Sequence, residues 1–171
     1  MSLPQPSDSV KLRIKEESDL PQDHIWSLDP YLMKVNCWTA VRKYNQFLHN
    51  YRAECKVYQG FRWRYAIETD TGCHIGNCSV DRINDVTCAI GMYIGEEDDR
   101  RHRYGTEALV ALIELVRNLL GFKDVIAFIM QDNIPAQLFF TKQGFVFLGI
   151  SPMDINQRYV YLYTEKATRI E

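Results

Sequence analysis

Apolar and polar residues alternate along this chain with two different periods, and each change of period marks an element. Residues 10–15 alternate apolar and charged side chains, as a half-buried strand does. Ser18, Asp19, Leu20 and Pro21 carry the marks of a helix start, a capping side chain followed by an early proline. That helix bears Ile25 and Trp26 and is expected to end near Asp29 and Pro30. From about Thr39, the residues Val41, Tyr44, Phe47, Leu48 and Tyr51 fall on one helical face and predict a second helix. Alternation returns over 62–68, 74–83 and 86–94, broken by turn residues at 69–72 and by Asn84 and Asp85. Three consecutive antiparallel strands are the expectation.

The second half carries the strongest helical stripe. Leu109, Leu112, Leu115, Val116 and Leu119 predict a helix over 106–120, and Gly121 supplies a left-handed end residue. A strand follows over 124–130, then a loop through Asp132 and Asn133. A short helix over 135–142 lies between Pro135 and Gly144, and two closing strands are predicted over 145–150 and 158–164. Strands and helices in this order describe an α/β (α+β) domain. No internal repeat and no second core is visible, so residues 10–171 are read as one domain and residues 1–9 as a polar, loose tail.

Composition changes this picture little. The chain has 171 residues, 46% hydrophobic and 25% charged, which suits one globular domain with a full core. A net charge of −2 gives no reason to expect nucleic acid as a partner. Neither a membrane span nor a secretory segment is read, so a cytoplasmic monomer or homodimer away from membranes is expected. The cysteines Cys37, Cys55, Cys73, Cys78 and Cys88 are odd in number and irregular in spacing, and His24, His49, His74 and His102 are scattered. They read as reduced thiols with no metal set.

One stretch carries chemistry. Arg100, Arg101, His102, Arg103, Tyr104, Gly105 and Thr106 run from a predicted strand directly into the long helix. The first amides of a helix have no partner inside it, and the helix dipole adds positive potential there, so a phosphate is the natural guest. The motif is neither a P-loop, which needs Gly-Lys-Ser/Thr, nor a dinucleotide fingerprint with its three glycines. The competing reading is a solvated loop, since Asp98 and Asp99 neutralise Arg100 and Arg101.

The ordered set of strand, anion loop, long helix, strand, Asn-bearing loop, short helix and Gly-Phe resembles the GNAT superfamily of N-acetyltransferases. Residues 90–95 (Ile-Gly-Met-Tyr-Ile-Gly) look like its fourth strand, and residues 100–105 like its pyrophosphate loop. Asn133 and Ala136, then Lys142, Gly144 and Phe145, look like its last motif. Asp19, Leu20, Trp26, Asp29 and Pro30 look like the ribosomal-protein N-terminal-acetyltransferase branch.

The resemblance implies one domain around a mixed sheet of about seven strands, splayed between the fourth and fifth and flanked by about four helices. It implies acetyl-CoA as cosubstrate, no metal, and a small-molecule amine or a protein N-terminus as acceptor. The pantetheine arm would pair with main-chain groups of Met92, Tyr93 and Ile94. The diphosphate would lie on Arg100, Arg101, His102, Arg103, Tyr104, Gly105 and Thr106, with Asn133 and Phe140 beside the arm. Two residues depart from the pattern: Arg103 replaces the first loop glycine, and Phe140 stands where many members carry a proton-donating tyrosine. A main-chain N–H near Met92 is the candidate to polarise the thioester carbonyl. Asp81 and Glu68 are candidate bases, and Tyr93 a candidate acid or positioner. The acids Glu96, Glu97, Asp98 and Asp99 suit a cationic acceptor, or are only a solvated loop. Trp26, Trp38, Phe61 and Trp63 are pocket candidates, or core. The rival function is a non-catalytic acyl-CoA-binding sensor or scaffold on the same fold.

Overall fold

The computed structural model describes residues 9–152 and 154–164, so the expected tail lies outside it apart from Ser9. A single seven-stranded sheet has the order β1-β2-β3-β4-β5-β7-β6. Its strands are β1 (Val10–Ile14), β2 (Arg62–Thr69), β3 (His74–Arg82), β4 (Thr87–Ile94), β5 (Asp124–Ile129), β6 (Phe145–Ile150) and β7 (Tyr159–Tyr163). Every neighbouring pair is antiparallel except β4 with β5, which is parallel.

Five α-helices accompany the sheet among the described residues, one more than expected: α1 (Leu20–Trp26), α2 (Pro30–Asn36), α3 (Tyr44–Val57), α4 (Tyr104–Glu114) and α5 (Ile134–Lys142). The additional helix is α2. Asp29 and Pro30, expected to end a helix, start one: the Asp29 carboxylate accepts from Leu32 N at 2.8 Å, and Pro30 takes the first helical position. Cys37 closes α2 in the left-handed region (φ 57), so the next helix starts at Tyr44 rather than Thr39.

The core lies between α4 and one sheet face. Leu109, Leu112, Ile113 and Val116 pack on Tyr65, Ile67, Val80, Cys88 and Ile90. Each fully buried aliphatic side chain stabilises by about 1.5–3 kcal/mol. After Glu114 the helix widens into a π-turn over Leu115–Leu119. The extra residue per turn rotates the stripe, and Leu119, expected in the core, is 75% exposed.

The opposite face of β2, β3 and β4 bears Arg62, Arg64, Asn77, Ser79, Asp81 and Tyr93, under α1 and α3. Among the described residues no helix is long and apolar enough to cross a membrane, and no cluster of three His, Cys, Asp or Glu is placed to hold a metal. All five cysteines are free thiols.

Candidate functional site

The splay between β4 and β5 begins at one register position. The strands pair from Thr87↔Asp124 to Ile90↔Ala127, and beyond that point β5 pairs only with β7. Residues 91–94 therefore have no strand partner on this edge. Gly95 N donates to Ile75 O at 2.8 Å, so by the two-residue alternation of an antiparallel ladder the backbones of Tyr93 and Gly91 also face β3. Those of Met92 and Ile94 face the gap. Tyr93 was expected to offer its main chain to a ligand; that backbone is already paired to Asn77.

The turn from β4 to α4 is fastened to α1 and α2. Arg100, expected at the phosphates, folds back: its guanidinium donates to Ile94 O (2.9 Å) and Gly95 O, and lies 4.8 Å over the Tyr31 ring. Trp26 Nε1 donates to Glu96 Oε1 at 2.7 Å, so Glu96 secures the turn. Asp99–Arg101 form a 3-10 turn, His102 is extended, and α4 starts at Tyr104. Arg103 has φ −76 and ψ 2, so replacing the usual glycine strains nothing, and its side chain is exposed. The first bond inside the helix runs from Glu107 N to Arg103 O at 3.1 Å, so the amides up to Thr106 belong to its first turn. At Gly105 a β-carbon would meet only the Phe139 ring, at 3.8 Å. Packing does not demand glycine there; the bare backbone leaves room for a close-lying anion.

A cleft of about 990 Å³ lies between α3 and the sheet and reaches the splay at Gly91, Met92, Tyr93 and Phe128. Trp38 and Phe61 line it, as expected of two of the four aromatic candidates. Trp26 is buried under the β4–α4 turn, and Trp63 meets Phe122 edge-on at the margin of the core. Three carboxylates line the cleft, and each has a cation. Asp23 pairs with Lys15 at 2.6 Å, Glu54 with Arg64 at 2.6 Å, and Asp81 with Arg62.

At the splay, Asn77 Nδ2 donates to Asp23 Oδ1 (2.6 Å) and to Tyr93 Oη (2.7 Å). Burial, with the negative charge of Asp23 adding to it, holds the Tyr93 phenol well above its usual range; the Asn77 bond offsets part of this. Tyr93 therefore holds its proton more tightly than an exposed tyrosine does.

The remaining candidates separate. Glu68 is bound by Arg13 (2.5 Å) and Lys11 (2.9 Å) beside β1 and does not line the cleft, while Asp81 does. Asn133 caps α5, its Oδ1 accepting from Ala136 N at 3.2 Å. Phe140 is buried, edge-on to Phe145 at 4.9 Å, and the half-buried Phe139 beside it is the ring that faces Gly105. Asp23 and Asn77 were not singled out from the sequence. The available signal was a lone amide among the otherwise apolar and small residues 75–78.

An open β4 edge beyond its parallel pairing with β5, running into the start of α4 with a cleft behind, is the arrangement of an acyl-CoA-dependent acetyltransferase. A sequence profile described as the acetyltransferase (GNAT) domain matches residues 10–146, and the chain belongs to that family, whose activity is acetyl transfer to an amine. Similar solved structures include spermidine N-acetyltransferase from Vibrio cholerae in complex with CoA and spermine (14% identity, 91% of this chain and 94% of that one, TM-score 0.77). AAC(6')-Ib in complex with paromomycin and acetyl-CoA aligns at 19% identity over 92% of this chain and 94% of that one, TM-score 0.77. A domain from Methanocaldococcus jannaschii aligns at 19% identity over 90% and 97%, TM-score 0.73. At such identities the likeness is one of fold. No curated protein sequence matches the chain significantly.

Proposed function

We propose that residues 10–171 act as one unit that transfers the acetyl group of acetyl-CoA to a single primary amine, by direct attack within a ternary complex. The observation that carries this is the unpaired edge of β4 at Met92, which leads along one strand and turn to the first-turn amides of α4. An extended amide-bearing arm adds to such an edge as another strand would. The diphosphate fits the amides of residues 103–106, where Gly105 leaves room and the Arg103 guanidinium is available. Asn133 spends its oxygen on the α5 cap, so its amide nitrogen is the group with which it would bond the arm.

The acceptor enters through the cleft. Met92 N–H polarises the acetyl carbonyl from the strand edge, and Tyr93 supplies a hydrogen-bond donor on the cleft side. Asp81 lies opposite Ala89, two residues from Gly91 along β4, about 7 Å of strand. From there it receives the amine's proton through water.

The cleft favours an acceptor with one amine, such as a peptide N-terminus, in keeping with the ribosomal-protein branch. Polyamines and aminoglycosides bring several ammonium groups, each needing a carboxylate. Asp23, Glu54 and Asp81 are already paired.

The test is release of free CoA from acetyl-CoA with a panel of peptide N-termini, monoamines, spermidine and aminoglycosides. Acceptor-dependent release, greatest for the monoamines and peptides, is expected. The rival sensor reading draws on Phe140, which has no proton to give; CoA binding without release for any amine would establish it and end the catalytic one.

A further inference from the structure

Asp23 and Asn77 form a buried polar pair with no part in the steps above. Asp23 is 2% exposed and Asn77 6%. Burying two such groups costs stability unless their bonds are complete, and completed networks fix geometry. Resting on the acetyltransferase reading, we infer that Asn77, anchored by Asp23, is a positioning residue that turns the Tyr93 hydroxyl proton toward the cleft, making Tyr93 the proton donor that Phe140 is not.

A carboxylate only accepts, so the group Asn77 presents to Asp23 at 2.6 Å must be its NH2. The same nitrogen meets Tyr93 Oη at 2.7 Å, and its second hydrogen goes there. The amide oxygen faces the other way, toward His74 Nε2 at 3.3 Å. Tyr93 Oη therefore accepts from Asn77, and its own hydrogen must point elsewhere.

The surroundings direct that hydrogen. Tyr93 is walled by the Trp38 ring at 4.9 Å and the Trp26 ring at 6.1 Å, and it lines the cleft. The charged and titratable groups around the pair are Asp23 on α1, Lys15 beyond β1 at 2.6 Å from Asp23 Oδ2, His74 on β3, 3.7 Å from Asp23 Oδ1 and 3.6 Å from Asp19, and Tyr51 on α3, whose phenol feels the Asp23 charge. Next to Tyr93 on its own strand and face is Gly91, whose missing side chain leaves the cleft wall bare at the splay.

The step balances. The amine nitrogen forms the C–N bond as the C–S bond breaks, and sulfur leaves with that bond's electron pair. Sulfur takes the proton of Tyr93 Oη, the nitrogen sheds its proton to Asp81 through water, and the hydroxyl is restored through solvent as Asp81 releases that proton. The products are an amide and free thiol, with no net proton consumed.

Two independent measurements test this. In steady-state kinetics Tyr93→Phe should lower kcat about 100-fold or more, the usual reach of general acid catalysis, while CoA affinity stays within about twofold. Asn77→Leu should lower kcat on the order of tenfold with the hydroxyl still present. In protein carrying 13C at tyrosine Cζ, the Tyr93 resonance should titrate later than those of exposed tyrosines. Removing the Asn77 bond (Asn77→Leu) should move it later still, and removing the Asp23 charge (Asp23→Asn) earlier. If Asn77→Leu does not fold, Tyr93→Phe and Asp23→Asn carry both readouts. Unchanged kcat in Tyr93→Phe, with an active wild type, overturns the proposal and leaves the acetyltransferase reading intact. A wild type that releases CoA to no amine removes that reading instead. The titration then decides separately whether Asn77 holds the hydroxyl, and a Tyr93 resonance indifferent to Asn77→Leu overturns that too.

Discussion

Gly95 lies flat against the indole of Trp26, so closely that a β-carbon there would sit 2.0 Å from Cε2. Trp26 is buried and bonds Glu96, so the ring has nowhere to retreat. This contact fixes where β4 ends and the turn toward α4 begins. Gly95→Ala should destabilise by about 1–3 kcal/mol, as overpacking does, and weaken CoA binding by displacing the turn. Urea unfolding and CoA titration read the two effects. A variant with wild-type stability would show that the contact is slack.

Lys15 and Asp23 form an ion pair with side chains 11% and 2% exposed. Breaking one side of a buried pair leaves a charge without compensation, at about 3–5 kcal/mol. Lys15→Met should reach that range in urea unfolding, and Lys15→Met with Asp23→Asn should recover part of it. A loss below about 1 kcal/mol, the range of a surface pair, would place the pair in water.

Acid should unfold the protein partly through Asp19. Burial alone would raise this carboxyl, but two bonds from Arg13 (2.7 and 2.9 Å) and one from Glu16 N–H (2.9 Å) outweigh it and hold the group below its usual range. Its contribution is present above the unfolded value, near pH 3.9, and is lost as pH falls through the lower folded value. Below about pH 4 stability should fall with pH, and Asp19→Asn should flatten that fall while lowering stability at pH 7. Parallel pH–stability curves for the two proteins would contradict this.

Arg103 needs no left-handed backbone, so its side chain is free to serve the ligand. Arg103→Ala should weaken CoA binding about tenfold, 1.4 kcal/mol, the lower range for a charge-assisted bond, and reduce its salt dependence. Arg103→Gly should bind no better than Arg103→Ala. Calorimetric titration at two salt concentrations checks both.

The sheet was legible because its signals are local. Alternation over 62–68 and 86–94 and the stripe from Leu109 to Val116 each depend on one segment, and all the expected strands formed. What escaped depends on distant parts of the chain or on backbone detail. Asp29-Pro30 is a helix start as readily as an end, and only the bond to Leu32 distinguishes them. Leu119 left the core because a π-turn shifted its angle, which side-chain periodicity does not encode. Arg100 and Glu68 carry charge suited to a site, yet their partners, Ile94 O with Tyr31 and Arg13 with Lys11, come from tertiary contacts. Asn77 became legible as a site residue only once Asp23, 54 residues away, stood beside it.

Acetyl transfer on this fold depends on the α4 start and the β4 edge holding CoA, and Gly105 tests this most directly. A β-carbon at 105 meets only the Phe139 ring, at ordinary contact distance, so a small branched side chain there should leave the fold standing while it fills the ligand's place. Wild type at 100 times the dissociation constant of CoA should gain about 2.7 kcal/mol, seen as a clear rise in Tm. Gly105→Val should melt within a few degrees of the wild type without CoA and show no rise with it. Equal CoA-induced shifts in both proteins, or none in the wild type, would contradict the account.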